Sequence, residues 1–173
     1  MQRLRLGCEC LGLELDFAAL DLEIAQALAM AGISDGVLKI IVTRGAGGRG
    51  YRPPRQPATR ILTINPLPDY AQHQPEQGIK AFVCHQRLAE QSALVGIKHL
   101  NRLEQVLACR EWPDESYLEG LMLDLQGHVI EGTRSNLFWT HKGKLYTPDI
   151  LRTGIDGIMR KVLLQHFGKR VQI

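Results

Sequence analysis

The sequence lacks the patterns that mark metal, membrane and nucleic-acid proteins. None of its four cysteines forms a C-x-x-C pair, and its six histidines are not spaced as zinc ligands. Charged residues interrupt its apolar stretches before the roughly 18 residues that a membrane span requires. The net charge of +3 is too small to indicate a nucleic-acid partner. We therefore expect no metal, no membrane span and no nucleic-acid partner.

The N-terminal region also lacks the pattern of a secretory signal peptide. Its first thirty residues include five acidic side chains, where a signal peptide has a continuous apolar segment. The four thiols, Cys8, Cys10, Cys84 and Cys109, are typical of a protein from a reducing compartment. The sequence therefore predicts a cytoplasmic protein.

What remains is the composition of an ordinary globular protein. Of its 173 residues, 45% are apolar and 23% are charged, a balance that forms a core without disulfides or metals. The length fits one large domain or two small ones, and the proline-rich polar stretch at residues 66–75 resembles a linker. We therefore predict a partial small α/β domain at residues 1–66, a linker at 67–75 and a partial larger domain at 76–173.

Hydrophobic periodicity predicts an α/β fold in which helices and strands are mixed. The predicted helices cover residues 21–30, 99–111 and 157–167, and the predicted strands cover residues 37–42, 59–64, 79–84, 120–125, 129–131, 136–140, 145–147 and 169–173. Gly32 follows the first helix at the position where a C-terminal cap is expected. One face of the second helix is apolar and carries Leu100, Leu103, Val106 and Leu107.

Lys98 is the first residue whose position indicates chemistry. It lies between the apolar residues 93–97 and the predicted amphipathic helix, so we expect its side chain to be partly buried. Burial lowers the pKa of a lysine and makes its amine a competent nucleophile for Schiff-base formation. Taken alone, the position of Lys98 favours a surface lysine at the start of a helix.

Glu131 and the segment at residues 154–160 are two further candidates. Glu131 ends a strand, where a carboxylate could hold a pyridine-type nitrogen in its protonated form, although a solvated edge-strand carboxylate has the same pattern. Residues 154–160 form a glycine-bearing turn that opens a helix, and the free N–H groups of such a turn bind anions. Many helices begin this way, so neither feature is specific when taken alone.

The glycine-rich segment at residues 44–51 resembles a phosphate loop only superficially. It lacks the Gly-Lys-Ser/Thr ending of a P-loop and the glycine spacing of a dinucleotide site, which excludes a nucleotide site there. Arg44, Arg49 and Tyr51 could instead bind a carboxylated substrate. The alternative interpretation is a flexible surface loop.

Three motifs in order give the chain a family resemblance. Residues 96–107 read GIKHLNRLEQVL, residues 131–138 read EGTRSNLF and residues 157–160 read GIMR. Together they resemble the fold-type-IV pyridoxal-phosphate enzymes, a group of branched-chain aminotransferases, D-amino-acid aminotransferases and aminodeoxychorismate lyases. Within this group, residues 96–107 and residues 43–51, which read TRGAGGRGY, are most similar to the lyases. Those lyases convert 4-amino-4-deoxychorismate to 4-aminobenzoate and pyruvate in folate synthesis.

The resemblance implies pyridoxal 5'-phosphate as the cofactor and a role for each matching residue. Lys98 matches the lysine that binds the cofactor covalently and later transfers protons. Glu131 matches the carboxylate that pairs with the ring nitrogen. Ile158 and Met159 match the positions whose backbone N–H groups hold the phosphate. Arg3 matches a phosphate-binding arginine, although the histidine that precedes it in the family motif is missing here.

The resemblance also implies a two-domain enzyme, a homodimer and a small-molecule substrate, with Arg44, Arg49 and Tyr51 near that substrate. Family members are longer at both ends, so we expect both domains to be incomplete here and this polypeptide alone to be unstable or inactive. Two alternatives stay open. One is a D-amino-acid or branched-chain aminotransferase of the same fold, and the other is an inactive fragment or remnant.

Overall fold

The structure, a computed structural model, describes residues 1–68, 77–91 and 93–173. The described residues divide into two compact units. The larger unit consists of Met1–Gly7 and residues 77–173, and the smaller unit consists of residues 8–68. Most of the predicted linker at 67–75 lies outside the described residues. The domain boundaries therefore stay a prediction, with the N-terminal residues grouped in the larger unit.

The smaller unit is built on a capped helix and a two-stranded sheet. Helix α1 (Gln2–Leu11), which the periodicity did not predict, begins in the residues grouped with the larger unit, and its last residues precede helix α2 (Phe17–Ala31) of the smaller unit. Asp16 caps α2 by accepting two backbone N–H groups, which explains why the helix begins four residues before its predicted start. Gly32 ends α2 in the left-handed conformation (φ 60°), as predicted.

Strands β1 (Val37–Thr43) and β2 (Thr59–Asn65) pair antiparallel, from Val37 opposite Asn65 to Thr43 opposite Thr59. The Arg60 guanidinium on β2 binds the Glu23 carboxylate on α2 through two hydrogen bonds of 2.7 and 2.6 Å. These contacts fix the helix against the sheet. Both predicted strands are confirmed within one residue at each end.

The larger unit contains a three-stranded sheet that holds the core. Its strands are β3 (Lys80–Arg87), β4 (Tyr117–Leu123) and β5 (Val129–Gly132), in the order β3-β4-β5. Strands β3 and β4 are parallel and are connected through helix α3 (Leu103–Cys109), whereas β4 and β5 are antiparallel. The core residues are Cys84, Leu88, Ala108, Met122, Ile130 and Ile150.

A second three-stranded sheet and a helix complete the larger unit. Its strands are β6 (Trp139–His141), β7 (Lys144–Tyr146) and β8 (Val171–Gln172), in the order β6-β7-β8. Helix α4 (Ile158–Phe167) and the 3₁₀ turn Gly168–Arg170 precede β8. Among the described residues, no helix is long and apolar enough to cross a membrane, and no cluster of three or more His, Cys, Asp or Glu residues is placed to hold a metal ion.

Besides the start of α2, five predicted elements differ from the structure by more than one residue at one end. The strand predicted at 79–84 extends to Arg87, and the strand predicted at 120–125 begins at Tyr117 and ends at Leu123. The helix predicted at 99–111 is only Leu103–Cys109, and the strand predicted at 169–173 is only Val171–Gln172 because a 3₁₀ turn precedes it. The strand predicted at 136–140 begins at Trp139, because Asn136 instead forms a single bridge with Glu131.

The apolar face of α3 does not cover the core. Leu103 is 64% exposed and Val106 is 55% exposed, while Gln105 and Ala108 on the other side of the helix are buried. Ala108 of α3 and Met122 of β4 belong to the same core cluster. Because the Ala108 side chain is small, α3 lies close to the sheet at this point. The exposed face of α3, which includes Leu107, and the exposed Leu100 just before the helix therefore remain available for another contact.

Candidate active site

The Lys98 side chain is accessible to solvent and directly follows the buried Ile97. Its position is set by Gly96, whose N–H donates to the Gly154 carbonyl and whose carbonyl accepts from the Asp156 N–H, both at 3.0 Å. These two hydrogen bonds join the segment that carries Lys98 to the loop that opens α4. Two motifs that are more than fifty residues apart in the sequence are thereby neighbours in the structure.

Three causes lower the pKa of Lys98 below its ordinary value of 10.5. Partial burial contributes most, followed by the positive charges of Arg102 and Arg3, while the negative charge of Glu131 opposes them. Arg102 also donates from its Nε to the His99 carbonyl at 3.2 Å. A larger fraction of Lys98 is therefore neutral near pH 7 than for an ordinary lysine, as nucleophilic attack requires.

Glu131 lies on β5 and is almost fully buried, with 3% of its surface exposed. Its Oε2 accepts a 2.8 Å hydrogen bond from the Ile155 N–H. Burial raises the pKa of Glu131, and the hydrogen bond from Ile155 and the charges of Arg102 and Lys98 only partly oppose this effect. The carboxyl group is thus held where a cationic partner would stabilise its ionised form.

Asn136 holds the same loop from its other side. Its Nδ2 donates to the Ile155 carbonyl at 2.8 Å, and its backbone bridges to Glu131. A Cβ atom at Gly157 would lie 2.2 Å from Asn136 Oδ1, so the loop is closely fitted to this side chain. Gly154, with φ +96°, adopts a conformation that favours glycine. Glu131 and Asn136 together therefore fix residues 154–157.

This loop leads directly into the N-terminus of α4. Gly157 is the N-cap and provides no side-chain cap, and the N–H groups of Ile158 and Met159 have no acceptor within the helix. The guanidinium of the buried Arg160 donates to the Pro148 carbonyl at 3.0 Å and to Asp156 Oδ1 at 3.4 Å, which fixes the first turn. The arrangement leaves backbone donors at the positive end of a helix dipole, as an anion site requires.

The structure brings together the residues predicted to bind the cofactor. Arg3 on α1, Lys98, Glu131, Ile158 and Met159 all belong to the larger unit. Arg3 is close enough to Lys98 to lower its pKa. The roles of these residues stay predictions.

The residues predicted near the substrate lie in the smaller unit. Arg44 donates to the backbone carbonyl of Leu11 and, at 3.0 Å, to that of Gly12. Its guanidinium thereby holds the turn after α1, a structural task that the sequence did not indicate. Arg49 and Tyr51 are exposed on the loop between β1 and β2. A role for these three residues in substrate binding stays a prediction.

Arg102, Asn136 and Arg160 are three functional candidates that the sequence analysis missed. Each of the three lies inside one of the three family motifs described above. Their place in those motifs was the feature of the sequence that could have identified them. Their contacts reach backbone carbonyls between three and nineteen positions away in the chain. Such pairings depend on how the elements pack, which spacing alone does not encode.

The residues present fit pyridoxal phosphate. A small cavity beside Glu131 is also lined by Arg102, Gly154, His99 and Gln105, whereas Lys98 and the first residues of α4 lie outside its lining. His99 Nδ1 and Gln105 Oε1 are buried there, and neither has a hydrogen-bond partner among the residues that the structure describes. Buried polar atoms usually form a hydrogen bond, so these two atoms are suited to bind a polar group of a ligand. A lysine amine, a buried carboxylate and an open helix N-terminus are the groups that this cofactor requires.

Comparison with known proteins identifies the family. The protein family described as "Amino-transferase class IV" matches this chain over residues 1–173. The chain belongs to the class IV aminotransferase family. The predicted resemblance and the mixed α/β fold are thereby confirmed.

Relatives within the class IV family include lyases and aminotransferases. An aminodeoxychorismate lyase from Vibrio harveyi is 39% identical over 141 residues, which are 79% of this chain and 52% of that protein. A putative branched-chain-amino-acid aminotransferase from Methanocaldococcus jannaschii is 31% identical over 144 residues, which are 82% of this chain and 49% of that protein. This class IV chain thus spans about half the length of these curated relatives.

Solved structures of the class IV family show the same fold. The 4-amino-4-deoxychorismate lyase from Pseudomonas aeruginosa superimposes with a TM-score of 0.89 at 48% identity, over 99% of this chain and 64% of that one. A branched-chain aminotransferase from Escherichia coli superimposes with a TM-score of 0.79 at 23% identity, over 99% of this chain and 59% of that one. The second comparison shows the shared fold alone.

Proposed function

We propose that the chain carries the active site of a pyridoxal-phosphate-dependent lyase that converts 4-amino-4-deoxychorismate to 4-aminobenzoate and pyruvate. The observation that carries this proposal is the 48% identity to the Pseudomonas aeruginosa lyase across 99% of the chain. The geometry of the larger unit supports the cofactor, because Lys98, Glu131 and the start of α4 are joined through one loop. The 39% identity to the Vibrio harveyi lyase supports the same reaction.

Each residue of this site has a separate task in the proposed reaction. When bound, pyridoxal phosphate supplies an electron sink. Lys98 would hold the cofactor through its side-chain amine, and the same amine would accept a proton from the substrate ring. Glu131 keeps the proton on the pyridine nitrogen. Ile158 and Met159 bind the phosphate through their N–H groups, and Arg3 adds positive charge there.

The lowered pKa of Lys98 suits its task as a proton carrier. A neutral amine can accept the ring proton, and the resulting ammonium group can return it as the enolpyruvyl side chain leaves and becomes pyruvate. Loss of that side chain makes the ring aromatic, which provides much of the driving force. Glu131, with its negative charge, stabilises positive charge at the ring nitrogen throughout these steps.

The reaction is tested by measuring two products. We expect the whole protein that contains this chain, supplied with pyridoxal phosphate and 4-amino-4-deoxychorismate, to release 4-aminobenzoate and pyruvate in equal amounts. In parallel, L-leucine and 2-oxoglutarate should give no 4-methyl-2-oxopentanoate and no glutamate above the background without protein. Transamination without release of 4-aminobenzoate would instead favour the aminotransferase function of the Methanocaldococcus jannaschii relative.

We further propose a cytoplasmic enzyme of folate synthesis. The support is the similarity to the lyases together with four cysteines that are all free, as in a reducing compartment. Deletion of the gene should create a growth requirement for 4-aminobenzoate, measured in minimal medium with and without that compound.

We also propose that the enzyme is a homodimer whose interface includes the exposed face of α3. The support is the apolar surface of Leu100, Leu103, Val106 and Leu107, because exposed apolar patches of this kind mark interaction sites. Leu103→Glu should weaken dimerisation at least about tenfold in sedimentation equilibrium, since it places a charge in the interface. Leu151→Glu, at a leucine that is 80% exposed outside α3, is the matched control and should leave the dimer unchanged. Equal behaviour of the two variants would contradict the assignment of α3 to the interface.

A further inference from the structure

Glu119 on β4 is a buried carboxylate with no task in the reaction above. Only 7% of its surface is exposed. Its Oε1 accepts from the N–H of Gly120 at 2.9 Å, and from the N–H and the hydroxyl of Thr133 at 2.9 and 2.5 Å. Its Oε2 accepts from the Ser135 hydroxyl at 2.7 Å, and Arg134 Nε lies 4.0 Å away. Charge and hydrogen bonds together make this carboxylate the centre of a small network.

The partners of Glu119 form a tight turn at residues 132–135. The Gly132 N–H donates to the Ser135 carbonyl at 2.8 Å. A Cβ atom at Gly132 would lie 2.3 Å from Ser135 Oγ and 2.7 Å from the carboxyl carbon of Glu119. The turn therefore fits closely around the Glu119 carboxylate, and a change in that carboxylate displaces the turn.

This turn connects the two residues that hold the loop at the start of α4. Glu131 precedes it and accepts the Ile155 N–H, whereas Asn136 follows it and donates to the Ile155 carbonyl. Glu131 and Asn136 also bridge to each other. A displacement of the turn is thus transmitted to both sides of Ile155, and from there to the N–H groups of α4.

We propose that Glu119 is a positioning residue that fixes, through Thr133 and Ser135, the placement of Glu131 relative to the N-terminus of α4. The ring end and the phosphate end of the cofactor are then held by one hydrogen-bonded unit. The identity of that ligand rests on the proposed function. The mechanical link from Glu119 to α4 does not, because it depends only on contacts within the chain.

Asp124 provides a matched control for this proposal. It is also a buried carboxylate, 8% exposed, and it follows the opposite end of β4. It accepts the N–H groups of Gln126 and His128 at 3.0 and 2.8 Å, and its Oδ2 lies 3.0 Å from His128 Nδ1. Asp124→Asn therefore disturbs a buried carboxylate of the same strand without touching residues 131–136.

The first test of Glu119 uses the chain without any ligand. Glu119→Gln replaces one acceptor oxygen by an NH₂ group and leaves at least one donor of the turn unpaired. Amide hydrogen exchange is followed in wild type, Glu119→Gln and Asp124→Asn. We expect exchange to accelerate at least about tenfold at Thr133 and also at Ile155 and Asp156 in Glu119→Gln, with wild-type rates there in Asp124→Asn. Acceleration confined to the turn, or equal acceleration in both variants, would overturn the proposal.

The second test compares the binding of pyridoxal phosphate and pyridoxal. Because Glu119 sets the distance between the two binding ends, Glu119→Gln should weaken pyridoxal phosphate about tenfold more than pyridoxal. A purely structural role would lower both affinities by the same factor, and that result would overturn the proposal.

Ser135→Ala, which removes one hydrogen bond only, should change the results of both tests in the same direction by a smaller factor. This variant replaces Glu119→Gln in both tests if Glu119→Gln does not fold. A wild-type chain that binds neither compound would contradict the proposed function, while the exchange test would still decide the role of Glu119.

Discussion

Replacement of Lys98 by Ala should abolish the covalent attachment of pyridoxal phosphate to the chain. The segment that carries Lys98 is hydrogen-bonded through Gly96 to the loop that opens α4, and the pKa of the Lys98 amine is lowered chiefly by burial. Borohydride reduction followed by intact-mass measurement should show one bound cofactor on wild type and none on Lys98→Ala. Activity should fall by at least about a thousandfold, since the residue that carries both attachment and proton transfer is lost.

Two controls separate chemistry from structure in this experiment. Lys98→Arg keeps the positive charge but has no attacking amine, so it should also lose the attachment. Lys144→Ala removes an exposed lysine on β7 and should behave as wild type. Cofactor trapped on Lys98→Ala by borohydride would show that another lysine forms the bond.

The contribution of Arg102 is visible in the pH dependence of this attachment. The neutral amine is the reactive form, so the rate rises as the pH increases through the pKa of Lys98, which lies below 10.5. The charge of Arg102 is the second largest cause of that lowered pKa. Arg102→Leu should therefore shift the midpoint of the rate profile to higher pH. An unchanged midpoint would contradict the electrostatic role of Arg102.

The sequence predicted those parts of the fold that local patterns control. Gly32 ends α2 because glycine tolerates the left-handed conformation, and the β-branched residues of β1 form a strand as expected. Helix α1 was missed because Gly7 lies in its middle and no capping signal precedes it. The face of α3 shows a further limit. Apolar spacing predicted where Leu103 and Val106 lie on the helix, but which face meets the core depends on the packing of Ala108.

In the candidate site, too, the sequence indicated the individual residues but not the contacts between residues that are distant in the chain. Lys98, Glu131 and the turn before α4 were identifiable, because each has a residue type and a local context that suit its chemistry. Their convergence was not, since Glu131 reaches Ile155 across 24 positions and Glu119 reaches Ser135 across 16. These pairings arise when β4 and β5 align in one sheet, and that register is a property of the folded unit.

Glu131→Gln should stabilise the cofactor-free chain while it weakens the binding of pyridoxal phosphate. Glutamine keeps an oxygen that accepts the Ile155 N–H, so the loop at the start of α4 keeps this hydrogen bond. The wild-type carboxyl has a pKa raised chiefly by burial, whereas in the unfolded chain it ionises near 4.5. Stability is therefore lost as the pH rises from 4.5 through the folded-state pKa, at about 1.4 kcal/mol for each pH unit between the two values. The variant does not ionise and avoids this cost, which thermal unfolding at pH 7 and pH 4 would show.

Binding should change in the opposite direction, because only the ionised carboxylate attracts a protonated ring nitrogen. Loss of this charged hydrogen bond costs about 1.5–3 kcal/mol, which corresponds to a tenfold to hundredfold weaker affinity near neutral pH. As the pH falls through the Glu131 pKa, which lies above 4.5, the wild-type advantage should disappear. The titration of the ligand itself affects wild type and Glu131→Gln equally, so it cancels in the ratio of their affinities. Glu115→Gln, at an exposed position, controls for the replacement of a glutamate by glutamine. A ratio that does not depend on pH, or a less stable Glu131→Gln chain, would show that Glu131 supports the fold rather than the ring nitrogen.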